Sequence, residues 1–228
     1  MMPAPVPPLP ESPRAMRVVP GRLDRLRRAP RAEGEAETFY HEPAFGADAV
    51  RVQPGEFYVH DEEMAIATTL GSCIAVCLWD REVRVGGLNH FMLPAREGDG
   101  RDSGRYGLCA MERLINAMLK RGARRGRMEA KVFGGASLMA GPGSGWLSGG
   151  PSIGARNTRF VIDYLHTERI ALVSRDVLGH APRKVCFFPY SGRAMVRRLP
   201  ETVCESVLAL DRDAMRHAMR TVGSVDLF

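Results

Sequence analysis

Apolar residues form short runs separated by polar turns in the middle of the chain, and the clearest example spans residues 66–94, IATTLGSCIAVCLWDREVRVGGLNHFMLP. The pattern predicts a strand that ends in a tight turn at Gly71–Ser72, followed by strands over 74–79 and 85–93. A charged stretch over 80–84 separates the last two strands and predicts a hairpin turn. We therefore expect an antiparallel hairpin in the centre of the fold.

Two stretches have the three- and four-residue spacing of apolar residues that is typical of amphipathic helices. One spans residues 106–121, with Gly122 at a position that favours a helix end, and the other spans 155–168. The remaining apolar runs predict strands over 50–59, 63–69, 128–133, 170–174, 184–189 and 194–198. Strands followed by strand-flanked helices predict an α/β fold, in the form of a mixed α+β layered sandwich.

The composition divides the chain into three parts. Residues 1–46 are rich in proline and arginine and predict a disordered extension, with a short basic turn of helix over 23–31. The globular domain is expected over 47–200. An amphipathic helix and a tail are expected over 201–228.

Two glycine-rich stretches predict surface loops, at 95–105 and 141–150. The first begins directly after Pro94, near one end of the predicted hairpin, and is a candidate lid over a site at that end. The second, GPGSGWLSGG, lacks the terminal Gly-Lys-Ser/Thr of a phosphate-binding loop. We interpret it as a surface loop without a nucleotide site.

With 228 residues and 45% apolar content, the chain is large enough to bury a full core in one domain. Its five cysteines are irregularly spaced, which argues against a disulfide framework and favours a reducing, cytoplasmic setting. No apolar run approaches ~20 residues, and the N-terminus does not resemble a signal peptide, so we expect a soluble protein without membrane insertion. The net charge of +6 includes an arginine cluster over 121–127, which fits a solvated helix end better than a nucleic-acid site.

Cys73 and His90 are the candidate catalytic residues. They lie near the same end of the predicted hairpin, and a thiol that faces an imidazole is the minimal nucleophile and base of cysteine hydrolases. Gly71 and Ser72 fit a turn that exposes the nucleophile and directs backbone N–H groups at an oxyanion. The alternative is that Cys73 is an ordinary core residue, because free cysteine is often buried. A zinc site with Cys77 is disfavoured, since two residues four apart on a strand are separated by roughly 13 Å.

Several motifs together resemble the CheD family of chemoreceptor glutamine deamidases. They occur in the family's order over about residues 48–200. The combination of LGSC with a following GG-x-N-H element is highly specific. The motifs are TTLGSCIAVCLWD, GGLNHFMLP, RYGLCAMERLINAMLKRGARRGRMEAKVFGGASLM, IGARNTRFVIDYL and PRKVCFFP.

The resemblance implies an activity and a site. Family members hydrolyse the side-chain amide of particular glutamines on the cytoplasmic helices of methyl-accepting chemotaxis receptors, and the resulting glutamates become methylation sites. They use a Cys–His–Thr triad without metal or cofactor, on a fold similar to that of a glutamine-deamidating bacterial toxin. By position the nucleophile is Cys73, the base is His90 and the third member is Thr68, with Thr69 as the alternative. Members also bind the chemotaxis phosphatase CheC, so a CheC-type phosphatase is an expected partner.

Two other functions are compatible with these residues. A catalytically inactive adaptor of the same fold would bind receptors or a chemotaxis phosphatase, but the presence of all three triad residues argues against it. An unrelated cysteine protease would act on a peptide bond. For a deamidase we also expect receptor methylesterase activity, because a glutamyl methyl ester differs from the amide only in its leaving group.

Overall fold

The computed structural model of the chain describes residues 21–93, 100–138 and 152–207, together with 209 and 213. Within these residues, ten strands form two five-stranded sheets. The helices are α1 (Arg22–Arg28), α2 (Gly100–Lys120) and α3 (Ile153–Thr167). The strands are β1 (Thr38–Glu42), β2 (Ala47–Arg51), β3 (Phe57–His60), β4 (Ala65–Leu70), β5 (Ile74–Asp80), β6 (Val85–Phe91), β7 (Met128–Gly134), β8 (Ala171–Val177), β9 (Arg183–Phe188) and β10 (Arg193–Arg198).

The two sheets have different strand orders. The central sheet has the order β3-β6-β5-β7-β8, and the outer sheet has the order β1-β2-β4-β9-β10. The predicted hairpin is confirmed, because β5 and β6 pair antiparallel in the middle of the central sheet, with Ile74 opposite Phe91 and Asp80 opposite Val85. Its short turn is the charged stretch that the sequence marks as polar.

The central sheet is covered on both faces, which makes the fold a three-layer sandwich. On one face α2 and α3 close over the helix-side cluster, which includes Val76 of β5, Leu114 of α2 and Val161 of α3. On the other face the outer sheet closes over the sheet-side cluster, which includes Ala75 of β5 and Phe187 of β9. Alternate residues of β5 therefore belong to different clusters, as expected for a strand buried on both sides. The predicted class, a mixed layered sandwich, is confirmed.

Two adjacent glycines of β6 allow both neighbouring layers to approach this strand. A Cβ built on Gly86 would lie 2.8 Å from Phe187 of the outer sheet, and one built on Gly87 would lie 2.8 Å from Leu114 of α2. Carbon atoms this close overlap, so a side chain at either position would push a layer away from the strand that carries His90.

The structure differs from the prediction in the N-terminal part of the chain. The predicted disorder up to residue 46 is wrong for residues 21–46, because α1 forms there and β1 pairs with β2 at the edge of the outer sheet. The strand β1 has the sequence TFYHE, in which Phe39 is buried, and this short run does not stand out from the proline- and arginine-rich composition around it. Residues 1–20 lie outside the described residues.

The two predicted loops and the C-terminal helix are described only in part. The loop predicted over 95–105 is wrong for its second half, because α2 begins at Gly100. Its first half and the loop predicted over 141–150 lie outside the described residues. In the C-terminal segment residues 204–207 are helical, and Val207 is buried. Among the residues that the structure describes, no helix is both long enough and apolar enough to span a membrane.

Two arginines of the basic cluster that follows α2 form ion pairs with carboxylates of the fold. Arg127 lies 2.8 Å from Asp80, and Arg125 lies 3.5 Å from Glu112. Burial of Asp80 opposes its ionisation, but hydrogen bonds from the Arg124 N–H and from Arg127 outweigh burial and lower the pKa of Asp80. The cluster thus has a structural role, which agrees with the interpretation of it as a helix end.

Candidate active site

The three residues that the sequence assigns to catalysis lie where the two sheets meet. Thr68 is in β4 of the outer sheet, Cys73 directly precedes β5, and His90 is in β6 of the central sheet. All three are buried, with exposed fractions of 3%, 0% and 1%. Cys73 is also a member of the sheet-side cluster, so the burial that the alternative interpretation expects is found.

One chain of hydrogen bonds fixes the His90 ring. Thr68 Oγ1 lies 2.8 Å from His90 Nδ1 and donates its proton to the Val52 carbonyl oxygen, also at 2.8 Å. A hydroxyl has a single proton, so towards the ring this oxygen accepts a hydrogen bond from Nδ1–H. The network assigns the neutral ring to the Nδ1-protonated tautomer, in which Nε2 carries the lone pair. Nε2 is therefore the ring atom that can act as a base.

The same network distinguishes the two neighbouring threonines. Side chains alternate along β4, so Thr69 faces the side of the outer sheet opposite to Thr68. Thr69 is partly exposed, whereas Thr68 is buried against the central sheet. The hydroxyl that contacts His90 is thus that of Thr68.

Cys73 and His90 share one face of the hairpin without being directly opposite. The register pairs His90 with Ala75, and Cys73 stands two positions before Ala75 on the same face. Diagonal neighbours across an antiparallel pair are about 7–8 Å apart, a separation that an aromatic ring or a long side chain can bridge. The expectation that Cys73 and His90 face each other across the hairpin is therefore wrong by two residues, since Ala75 is directly opposite the imidazole and Cys73 lies diagonally on the same face.

The segment that follows β7 holds the turn before Cys73. The Gly71 carbonyl oxygen accepts from the Ala136 N–H, and the Cys73 carbonyl oxygen accepts from the Gly135 N–H, both at 2.8 Å. Gly134 has a φ of +113°, and a Cβ there would lie 2.1 Å from the Cys73 carbonyl oxygen. Glycine alone permits both this backbone conformation and this approach.

A buried arginine fixes the end of β7 in place. Arg183 of β9 is 2% exposed and donates to the carbonyl oxygens of Gly134 and Leu178. It also forms an ion pair with Asp176 at 3.3 Å. Burial lowers the pKa of Arg183, and the Asp176 carboxylate opposes that effect. Arg183 therefore connects the outer sheet to the backbone that supports Cys73.

Asn157 of α3 holds the same turn from another side. It is fully buried, its Nδ2 donates to the Ser72 carbonyl oxygen at 2.8 Å, and its Oδ1 accepts from the Leu93 N–H at 3.0 Å. One side chain thus bridges the residue before Cys73 and the segment that follows His90. Asn157 lies in the IGARN motif, but nothing in the local sequence pattern indicates this bridging role.

Two of the other four cysteines are buried and one is exposed. Burial raises the pKa of the Cys77 thiol and of the Cys186 thiol, which makes both poor nucleophiles. Cys109 is exposed. Among the residues that the structure describes, no three His, Cys, Asp or Glu side chains are grouped so as to hold a metal ion.

A family profile and several curated relatives point to the same protein family. The profile described as CheD chemotactic sensory transduction matches residues 92–198. The "Probable chemoreceptor glutamine deamidase CheD 1" of Albidiferax ferrireducens is 52% identical, over 91% of this chain and 87% of its own length. A protein of the same name from Dechloromonas aromatica is 46% identical over 76% of this chain and 85% of its own length. The "Probable chemoreceptor glutamine deamidase CheD" of Xanthomonas campestris pv. campestris (strain B100) is 45% identical over 83% and 93%.

A solved structure gives a much weaker similarity. The hypothetical protein YfiH of Bacillus licheniformis aligns with 34% of this chain and 26% of its own, with a TM-score of 0.26 and 15% identity. A similarity at that level does not indicate a shared fold.

Proposed function

This chain belongs to the CheD family, and we propose that it is a protein-glutamine deamidase, an amidohydrolase that converts specific glutamines of methyl-accepting chemotaxis receptors to glutamates. Its relatives are named chemoreceptor glutamine deamidases. The observation that carries the proposal is the 2.8 Å contact between Thr68 Oγ1 and His90 Nδ1, on the sheet face that also bears Cys73. That contact orients an imidazole as a triad requires.

In the proposed reaction the Cys73 thiolate attacks the carbon of the glutamine carboxamide, and protonated His90 gives its proton to the departing ammonia. A thioester between Cys73 and the substrate remains. Neutral His90 then takes a proton from water through Nε2, and this water attacks the thioester. Glutamate is released, and the thiolate and imidazolium are restored. Thr68 accepts from Nδ1–H throughout, which is the role of Asp or Asn in other triads.

We further propose that the backbone N–H groups of Ser72 and Cys73 stabilise the oxyanion. The carbonyl oxygens of Gly71 and Ser72 are bound by the Ala136 N–H and by Asn157 Nδ2. In a trans peptide the C=O and the following N–H point in opposite directions. The N–H groups of Ser72 and Cys73 therefore point away from these two partners, and a preorganised turn of this kind supports an oxyanion hole.

The proposal is tested by incubating the purified protein with cytoplasmic receptor fragments from the same organism and mapping glutamine-to-glutamate conversion by mass spectrometry. We expect conversion by the wild type and none by Cys73→Ala. Cys77→Ala is the matched control, because Cys77 is a buried cysteine on the same face of β5 outside the proposed triad. It should convert the same glutamines as the wild type.

Two results would contradict the proposal. Conversion by Cys73→Ala at the wild-type rate would exclude Cys73 as the nucleophile. Absence of conversion by the wild type, with the receptor fragments still bound, would favour the inactive adaptor instead.

The same site is proposed to hydrolyse methyl esters of receptor glutamates, because attack by Cys73 on the ester carbonyl would release methanol in place of ammonia. Methanol release from a methylated receptor fragment measures this activity, with Cys73→Ala as the control. An enzyme that deamidates the fragment and releases no methanol would refute it.

A CheC-type phosphatase is proposed as a second partner and the cytoplasm as the location, both from the family resemblance. Co-elution of the chain with a CheC-type phosphatase from the same organism tests the partner. Slower receptor deamidation in the presence of that phosphatase is expected if the two compete for one surface. Deamidation at an unchanged rate by a chain that binds the phosphatase would refute the competition.

A further inference from the structure

Tyr106 of α2 stands beside the proposed triad and has no role in the mechanism described above. Its ring packs against the helix-side cluster, while the residue as a whole is partly exposed. The next residue, Gly107, leaves no room for a side chain, since a Cβ there would lie 2.4 Å from Phe160 of α3 and 2.8 Å from Leu93. This close packing of α2 on α3 and on the segment after β6 fixes the position of Tyr106.

The Tyr106 hydroxyl lies at the strand end that carries His90. A Cβ built on Gly55 would lie 3.3 Å from the hydroxyl oxygen, and the Gly55 N–H donates to the His90 carbonyl oxygen at 2.8 Å. The hydroxyl is also within electrostatic range of Cys73. Burial raises the pKa of Tyr106, and negative charge on Cys73 raises it further. The phenol therefore stays protonated at neutral pH and can both donate and accept a hydrogen bond.

We propose that Tyr106 is a substrate-binding residue of this site, whose hydroxyl holds the carboxamide of the target glutamine beside Cys73. The inference rests on the proposed deamidase function. A carboxamide presents a carbonyl oxygen that accepts hydrogen bonds and an NH₂ group that donates them, and a neutral phenol can pair with either. The Thr68 hydroxyl already donates to the Val52 carbonyl oxygen and accepts from His90 Nδ1, so it does not supply the hydrogen bond to the carboxamide.

The rigid position of Tyr106 matters for this role. The ring is held by apolar packing, so little side-chain freedom is lost when substrate binds. Because Tyr106 is partly exposed, a receptor helix that presents a glutamine to Cys73 can contact it. Tyr106 thereby distinguishes a side-chain amide from an apolar side chain of similar size.

The test compares Tyr106→Phe with the wild type by two measurements on the full chain. The first is kcat/KM for glutamine conversion in a receptor fragment. The second is the rate at which 4,4′-dithiodipyridine, a small disulfide without an amide, modifies Cys73, followed on the Cys73 peptide because Cys109 is exposed and also reacts. Removing one hydrogen bond to the substrate should lower kcat/KM about tenfold and leave the disulfide reaction unchanged.

Tyr164→Phe is the matched control, because the Tyr164 hydroxyl donates to Glu112 at 2.7 Å and that pair joins α3 to α2. It should keep the wild-type kcat/KM. If Tyr106→Phe lowered kcat/KM and the rate of disulfide modification equally, the phenol would affect the reactivity of the Cys73 thiol rather than substrate binding, and the inference would be overturned. Unchanged kcat/KM would overturn it as well, with the deamidase function intact. A wild type that converts no glutamine would instead refute the proposed function itself.

Discussion

The contact between Thr68 and His90 allows a quantitative test of the proposed triad. Thr68→Val keeps the branched shape of the side chain and removes its hydroxyl. Two buried groups then lose their partner, namely the Val52 carbonyl oxygen and His90 Nδ1–H, each now 2.8 Å from Thr68 Oγ1. The substitution therefore acts on stability and on the orientation of the imidazole at the same time.

The expected magnitudes follow from the cost of unsatisfied polar groups. A buried donor or acceptor without a partner costs about 1–3 kcal/mol. For two such groups, less the gain from removing a buried hydroxyl, the free energy of unfolding should fall by about 2–4 kcal/mol. Without an acceptor at Nδ1 the ring is no longer held in the tautomer that leaves Nε2 as the base. A cost of about 1–3 kcal/mol at that group corresponds to about 5- to 150-fold slower deamidation.

Two controls make the assay specific. Thr68→Ser keeps a hydroxyl and should recover most of the turnover, whereas Thr69→Val changes the neighbour on the opposite face of β4 and should leave turnover unchanged. Turnover is measured on a receptor fragment by mass spectrometry, and unfolding is followed by circular dichroism in urea. Wild-type turnover in Thr68→Val, in a protein that is destabilised as expected, would refute the role of Thr68 in orienting His90.

Two further predictions concern the backbone and the charges around the site. In Gly134→Ala the new Cβ would lie 2.1 Å from the Cys73 carbonyl oxygen, so it should displace the turn and slow both deamidation and disulfide modification of Cys73 at least tenfold. The control is Gly122→Ala, which has a similar φ of +88° and nothing within 4 Å of the new Cβ, and which should lower only the free energy of unfolding, by about 1–3 kcal/mol. Normal Cys73 reactivity in Gly134→Ala would contradict this reasoning. Because the pKa of Asp80 is lowered in the fold, its carboxylate stabilises the protein above the unfolded pKa of about 3.9, and this stabilisation is lost as pH falls through the folded pKa. The difference in unfolding free energy between the wild type and Asp80→Asn should therefore be largest near about pH 7 and shrink below about pH 4, and urea titrations that show the same difference at both ends would contradict it.

Local patterning predicted the central hairpin well and the edge of the outer sheet poorly. Residues 74–79 of β5 alternate between two apolar clusters, and the charged turn before Val85 is short, so the local sequence pattern predicts the hairpin. The strand β1 depends on its pairing with β2, which lies across a turn, and its apolar content is small. Composition averaged over residues 1–46 therefore concealed it.

The candidate site shows the same division between local and distant information. Cys73, His90 and Thr68 lie in motifs that can be recognised in the sequence, but the contact of Thr68 rather than Thr69 with His90 follows from the packing of β4 on the central sheet. Asn157 and Arg183 come from distant segments. Their roles depend on where the carbonyl oxygens of the turn point, which no local pattern records.

The division of the proposed triad between two sheets relates its assembly to the order in which the chain is made. The hairpin that supplies Cys73 and His90 is local in sequence, but Thr68 lies in β4, whose neighbours are β2 and the much later β9. Until residues 183–188 leave the ribosome, β4 has a partner on one side only. The sheet that positions Thr68 against His90 is therefore completed only after β9 has been synthesised, late in the domain.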